Sequence, residues 1–177
     1  MIEATGPALV LGSTQPRPPA PPPGIDIEVV RRRSGGGAVL VEPGRLVWVD
    51  VLVPSGDPLW EDDVGRSFGW LGRAWAEALG DPDAVVHQGP LRPSRWSAMV
   101  CFAGLGPGEV TIGGAKVVGM AQRRTRAGAL FQCAALRAWD PVPLVALLGL
   151  PPQAAAELAG VARGVDVDPA ALVARLG

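Results

Sequence analysis

The dipeptide Gly113-Gly114 constrains this chain more than any other feature. It lies between Glu109-Val110-Thr111-Ile112 and Lys116-Val117-Val118-Gly119-Met120-Ala121, two runs with β-forming residues. Paired glycines adopt the positive φ angles that a tight hairpin turn demands, so the segment predicts two adjacent antiparallel strands. Just past the turn stands Lys116, the only lysine in the protein; every other basic side chain except His87 is arginine. An ammonium is a compact point charge that approaches a carbonyl or phosphate oxygen end-on, whereas a guanidinium is a planar fork. Gly113, Gly114, Ala115, Gly119 and Ala121 keep the surroundings of Lys116 small enough for a ligand to reach the backbone.

The flanking sequence extends this sheet. Pro7–Gly12 reads as a buried strand, and the six prolines within residues 16–24 form an extended connector. Ile25–Arg31, Ala38–Val41 and Leu46–Val53 read as further strands, and short turns between them predict an antiparallel meander. Asp57-Pro58 predicts a helix start, with Glu61, Asp62 and Asp63 in its first turn. Val64, Phe68, Leu71, Trp75 and Leu79 form its apolar stripe, and Gly80 with Pro82 ends it. Ala84–His87 and Ala98–Ala103 are expected as strands, the second carrying Cys101, and Ala129–Leu136 closes the sheet. Beyond Asp140-Pro141 the pattern turns helical, over Val142–Leu148, Pro152–Arg163 and Asp168–Leu176.

The fold class expected is α+β, a mixed and mostly antiparallel sheet flanked by helices in one domain. Residues 1–140 would form the catalytic part, and residues 141–177 a helical tail packed on it. A length of 177 residues fits one domain, and a net charge of -1 gives no reason to expect nucleic acid or an anionic membrane as partner. Two cysteines, Cys101 and Cys133, and one histidine, His87, make neither a disulfide framework nor a metal site, so no metal ligands are assigned. The N-terminus lacks the basic and apolar regions of a signal peptide, and no apolar run is long enough to span a bilayer, so a cytoplasmic location is expected.

A second glycine-rich stretch, Arg31-Arg32-Arg33-Ser34-Gly35-Gly36-Gly37-Ala38-Val39, precedes the first by some eighty residues. It is not a P-loop, because Lys-Ser/Thr does not follow, and no helix follows as a dinucleotide fingerprint requires. In this order, the stretch and Lys116-Val117-Val118-Gly119-Met120-Ala121-Gln122-Arg123-Arg124 resemble the paired motifs of the lipoate–protein ligase and octanoyltransferase family, from about Leu9 to Leu136. That family shares its fold with biotin–protein ligases. The resemblance implies that Lys116 contacts the carboxylate, acyl carbonyl or phosphate oxygens of a bound acyl group. It implies a substrate-binding loop of Arg32, Arg33, Ser34, Gly35, Gly36, Gly37 and Ala38, with Gly119, Ala121 and Gln122 along the pocket.

Two chemistries occur in the family. Ligases activate free lipoate or octanoate with ATP and magnesium, through an acyl-adenylate. Octanoyltransferases need no cofactor and move octanoyl from an octanoyl-carrier protein through a cysteine thioester. Cys101-Phe102, upstream of Glu109 and Lys116, resembles the arrangement in one transferase branch, which makes Cys101 the candidate nucleophile beside Lys116. A cysteine in this position is also compatible with a small buried core residue. In either chemistry the acceptor implied is a lysine of a lipoyl carrier domain, either a 2-oxoacid dehydrogenase E2 or a glycine cleavage H protein. Met120, Cys133-Ala134 and Leu40-Val41 depart from the family pattern. They motivate the alternative of a non-catalytic relative that binds an acyl group or a carrier.

Overall fold

A computed structural model describes residues 4–176. Two sheets share the strands. The larger is antiparallel and contains β4 (Leu46–Pro54), β5 (Ala84–Val86), β6 (Val110–Ile112), β7 (Ala115–Thr125) and β8 (Gly128–Leu136), in the order β4-β8-β7-β6-β5. The smaller contains β1 (Ala8–Leu11), β2 (Glu28–Arg31) and β3 (Val39–Val41), in the order β2-β1-β3. The expected meander is therefore corrected. β1 pairs in parallel with β2 and antiparallel with β3, while β4 joins the other sheet. The physical reason is the proline-rich connector: parallel neighbours need a crossover rather than a tight turn, and residues 16–24 supply it.

The Gly113-Gly114 hairpin forms with φ of 60° and 81°. Within it, Lys116 stands opposite Thr111 and Val118 opposite Val110, so Val117 is an extra residue in β7. This β-bulge reverses the alternation of side chains.

One face of the large sheet packs on α1 (Gly69–Leu79). Phe68, Leu71, Trp75, Val118, Met120, Phe131 and Cys133 are buried there. Phe68 and Trp70 meet the Phe131 ring edge-on, at centroid distances of 5.4 and 5.8 Å. The helix begins later than its sequence predicts. Asp57 accepts from the Leu59 N–H and Asp63 from the Arg66 N–H, so these carboxylates stabilise turns before the helix. Val64 is accordingly exposed.

The segment expected as a strand over Ala98–Ala103 is also corrected. Val100 makes a single parallel bridge to Ala38, and Cys101–Ala103 is a 3-10 turn. Its partner is a short loop rather than a strand, so no ladder propagates.

After β8 come α2 (Pro141–Leu147), α3 (Gln153–Leu158) and α4 (Pro169–Leu176). Asp140 caps α2 by accepting from the Val142 N–H. Leu144, Leu147, Leu148 and Leu158 pack with Leu9, Leu11 and Val100 in a second core. The chain after α3 runs beside β7: the Lys116 N–H donates to the Val161 carbonyl, and the Arg163 N–H to the Lys116 carbonyl. Among the described residues no helix is long and apolar enough to cross a membrane.

Candidate active site

The glycine loop, the Cys101 turn and β7 come together at the second face of the large sheet. Ser34–Gly37 leave β2 for β3 and press against the Cys101 turn. A Cβ on Gly37 would stand 2.5 Å from the Cys101 nitrogen, so a side chain there would collide with backbone. The Cys101 N–H donates to the Ala38 carbonyl at 3.0 Å, which fixes the turn on the loop. Gln15 is buried and fastens the same turn from behind, donating to the carbonyls of Ala98 and Met99 while accepting the Gly12 N–H.

The loop is held from inside by Arg32, which is 7% exposed. Its guanidinium donates to the carbonyls of Gly35 and Gly37, at 2.5 and 2.9 Å, and to the Ser34 hydroxyl. Burial lowers its pKa from the usual arginine value, and a charge on Cys101 would oppose that shift. Arg32 thus shapes the loop rather than projecting from it. Arg33 and Gly36 are exposed at the loop surface. The Ser34 hydroxyl donates to Gln132 Oε1 at 2.8 Å, and Gln132 donates to the Asp50 carboxylate, so the loop is tied to β8 and β4. Sequence reading missed Gln15, Gln132 and Asp50. Each is an isolated polar residue with no local motif, and only the burial of Gln15 and the cross-strand register of the other two reveal them.

Lys116 is 3% exposed. Its ammonium donates to the carbonyls of Cys101 and Gly104, at 2.9 and 3.0 Å, and pairs with Glu109 Oε2 at 2.6 Å. An ammonium has three donors, and these contacts engage all of them. Glu109 is equally well held: it accepts the Gly106 N–H at 2.5 Å and the Met120 N–H at 2.9 Å. Phe102 lies beneath the ammonium, with its ring centroid 5.2 Å away. Removing either charge from such a buried pair costs about 3–5 kcal/mol, because the other is left uncompensated.

Gly119 separates Lys116 from Cys101. A Cβ at Gly119 would lie 3.2 Å from Lys116 Cε and 3.5 Å from Cys101 Sγ, so both side chains meet over this glycine. Residues three apart on a regular strand face opposite ways; the bulge at Val117 turns Lys116 and Gly119 to one side. Ala121 follows on that face, in register with Gln132 and Asp50. Gln122 faces the other way and donates to the Ser67 hydroxyl, so it is not brought together with the loop. Arg124 lies beside it, bonded to the Glu61 and Asp62 carbonyls and stacked on Trp60 at 4.8 Å.

The two thiols differ. Cys101 is half-buried at the site, whereas Cys133 is buried on the α1 side and its thiol is pushed up to about 12, chiefly by burial. His87 is buried, with Nε2 2.9 Å from the Pro90 carbonyl. Among the described residues no group of three or more His, Cys, Asp or Glu side chains forms a metal-binding set.

Comparison with solved structures supports the fold. A bi-partite lipoate protein ligase from Thermoplasma acidophilum, solved in a study with its E2 lipoyl domain, matches with a TM-score of 0.63 at 20% identity. The match covers 97% of this chain and 65% of that one. A lipoate-protein ligase A bound with ATP matches with a TM-score of 0.61 at 21% identity, over 97% of this chain and 66% of its own. P. falciparum LipL1 in complex with lipoate gives 0.53 at 14% identity, over 97% of this chain and 43% of its own. This chain therefore spans less than two thirds of the length of these solved proteins. A search of curated proteins found no significant match. The model of the lipoyl protein ligase A/B catalytic domain matches residues 3–166, which contain both glycine-rich stretches, Cys101 and Lys116, and the chain belongs to that family.

Proposed function

We propose that this protein transfers an octanoyl or lipoyl group to a lysine of a lipoyl carrier domain, through a thioester on Cys101. The observation that carries the reading is the position of the Cys101 sulfur. It is the half-buried thiol of the two, it lies over Gly119 beside the Lys116 side chain, and the glycine loop is pressed on its turn. Cys133, with its thiol held protonated, has no such role.

In the first half-reaction the Cys101 sulfur attacks the carbonyl carbon of an octanoyl thioester on a carrier protein. The new S–C bond forms as the carrier's own S–C bond breaks, and the proton lost by Cys101 ends on the released carrier thiol. In the second, the ε-amine of the acceptor lysine attacks the Cys101 thioester. An amide forms, Cys101 leaves as the thiol, and the amine proton balances it. Neither half-reaction consumes ATP. The acceptors proposed are an E2 lipoyl domain or a glycine cleavage H protein, in the cytoplasm. Residues 141–177 belong to the same working unit as residues 1–140, since they supply the backbone partners of Lys116.

A second reading has a specific observation in its favour. Arg33 on the loop and Arg123 two residues past Ala121 are exposed guanidinium groups, suited to phosphate oxygens. They would hold ATP, with its magnesium, in an acyl-adenylate ligase, and one matching ligase was solved bound with ATP.

Intact-mass measurement of a purified lipoyl domain separates the two. One incubation contains octanoyl-carrier protein without ATP; the other contains lipoate or octanoate with ATP and magnesium. The thioester reading expects a mass gain in the first, abolished by Cys101→Ser. A gain only in the second, retained by Cys101→Ser, replaces it with the ligase. No gain in either favours a non-catalytic relative.

A further inference from the structure

Charge is distributed unevenly over this molecule. Three stretches reach the Cys101 turn: residues 4–25, 29–41 and 84–108. Together they hold Arg17, Arg31, Arg32, Arg33, Arg92 and Arg95, and no Asp or Glu. The carboxylates gather instead around α1, at Asp57, Glu61, Asp62 and Asp63 before it and at Asp81 and Asp83 after it. A net charge of -1 conceals this separation.

Local contacts place the arginines around the turn that carries the sulfur. Gln15, two residues before Arg17, donates to the Ala98 and Met99 carbonyls. Arg92 and Leu105 exchange both backbone hydrogen bonds, at 2.8 and 3.1 Å. A Cβ on Gly104 would stand 2.8 Å from Ser97 Cβ, so residues 92–97 lie along the turn. Arg95 stacks on Trp96 at 4.6 Å, and Glu157 of α3 accepts from both side chains. Arg31 donates to the Gly12 and Gln15 carbonyls, and Arg33 stands on the glycine loop. Among the described residues Arg17, Arg31, Arg33 and Arg92 are exposed and have no carboxylate within ion-pair distance, so their charge acts outward. Beside Arg92 stands Leu91, 60% exposed.

We propose that this arginine collar is the docking surface for the acyl donor, an acidic carrier protein that presents the acyl thioester on a phosphate-bearing arm. The proposal rests on the thioester reading above. Guanidinium forks match carboxylate and phosphate oxygens alike, and Leu91 offers an apolar contact among them. The acceptor fits this surface less well, because its reacting group is a lysine, a cation that a field of arginines repels. A surface of one sign steers an oppositely charged partner toward the turn, and salt weakens the attraction.

The test is calorimetric titration of the full chain carrying Cys101→Ser, so that no transfer follows, with an acyl carrier protein bearing octanoyl on its phosphopantetheine arm. Arg92→Glu and Arg17→Glu, added singly, should each weaken binding about ten-fold at low salt, and by less at high salt. Arg126→Glu changes the net charge equally, but lies at the β7–β8 turn, at the far end of β7 from Lys116, and should leave binding as it was. Equal losses in all three variants, no loss in any, or a parent chain that does not bind the carrier overturns the proposal. So does a loss of affinity for the lipoyl domain with the octanoyl carrier unaffected, which would assign the collar to the acceptor. The thioester reading is judged separately, by the intact mass of the unsubstituted chain after incubation with the octanoyl carrier or with octanoyl-coenzyme A. Octanoyl on Cys101 without collar-dependent binding keeps the thioester and removes the docking surface. Collar-dependent binding with no octanoyl on Cys101 from either donor removes the thioester and keeps the docking surface.

Discussion

The two faces of the large sheet use the same strands for opposite purposes. On the α1 side, Val118, Met120, Phe131 and Cys133 are packed without charge, and rings meet edge to face. On the other side, Lys116, Gly119, Ala121 and Gln132 alternate small residues with bonded polar ones, and two loops lean on them. The first face gains its stability from buried apolar area. The second spends buried polar groups on geometry, and one inserted residue, Val117, makes the two coexist on β7. The difference teaches that packing and positioning are separable here, because strand alternation sends neighbouring residues to different tasks.

Three substitutions press on that separation. Phe131→Ala removes the ring at the centre of the α1 face and should cost about 3–5 kcal/mol in urea unfolding, while the alkylation of Cys101 in the folded fraction stays unchanged. A changed Cys101 rate would mean the faces are mechanically linked.

The second test uses the thiols. Cys133 at about 12 stays protonated in the folded chain, whereas its ordinary value is 9.0. Its folded pKa is raised, so the unfolded chain sheds this proton first as pH rises. The contribution is fully present below pH 9 and is lost toward 12, at about 1.4 kcal/mol per pH unit. Cys133→Ala should flatten that part of the stability profile. At pH 8, iodoacetamide should label Cys101 and spare Cys133 in the native protein; equal labelling would show that the α1 face opens freely.

The smallest expected effect on stability comes from Gly119→Ala. Its methyl would meet the flexible end of Lys116 at 3.2 Å, together with Phe102 and Cys101, and these can give by a few tenths of an ångström. Unfolding should shift by no more than about 1 kcal/mol, yet Cys101 alkylation should slow several-fold. A stability loss as large as that of Phe131→Ala would place Gly119 in the core rather than at a site.

How far the sequence carries the fold depends on whether the cause is local. The Gly113-Gly114 hairpin was legible because its turn chemistry is written in two adjacent residues, and the membership of the family was legible in the order of two glycine-rich stretches. The α1 stripe from Phe68 to Leu79 follows from its period, but its beginning does not, since the same aspartates that cap helices also close turns. The bulge at Val117 leaves no mark in composition: nothing in Lys116-Val117-Val118-Gly119 says which residue is the extra one. Glu109 and Lys116 are seven apart, on either side of a hairpin whose register places Lys116 opposite Thr111, and only the folded side chains show that they pair. Ser34 and Gln132 are separated by 98 positions, and no short-range pattern links them.

The hydrogen bonds between Lys116 and residues 161 and 163 bear on how the protein is made. A nascent chain emerges N-terminus first, and segments fold as they become available. The glycine loop, the Cys101 turn and the hairpin all leave the ribosome before the segment that completes the hydrogen bonding of Lys116. During that interval the sheet can assemble while the backbone at Lys116 still faces water. The backbone of Lys116, whose ammonium braces the Cys101 turn, therefore gains these partners only once residues 161 and 163 have emerged, and a chain that stops short of them has the residues of the candidate site before it has their full constraint.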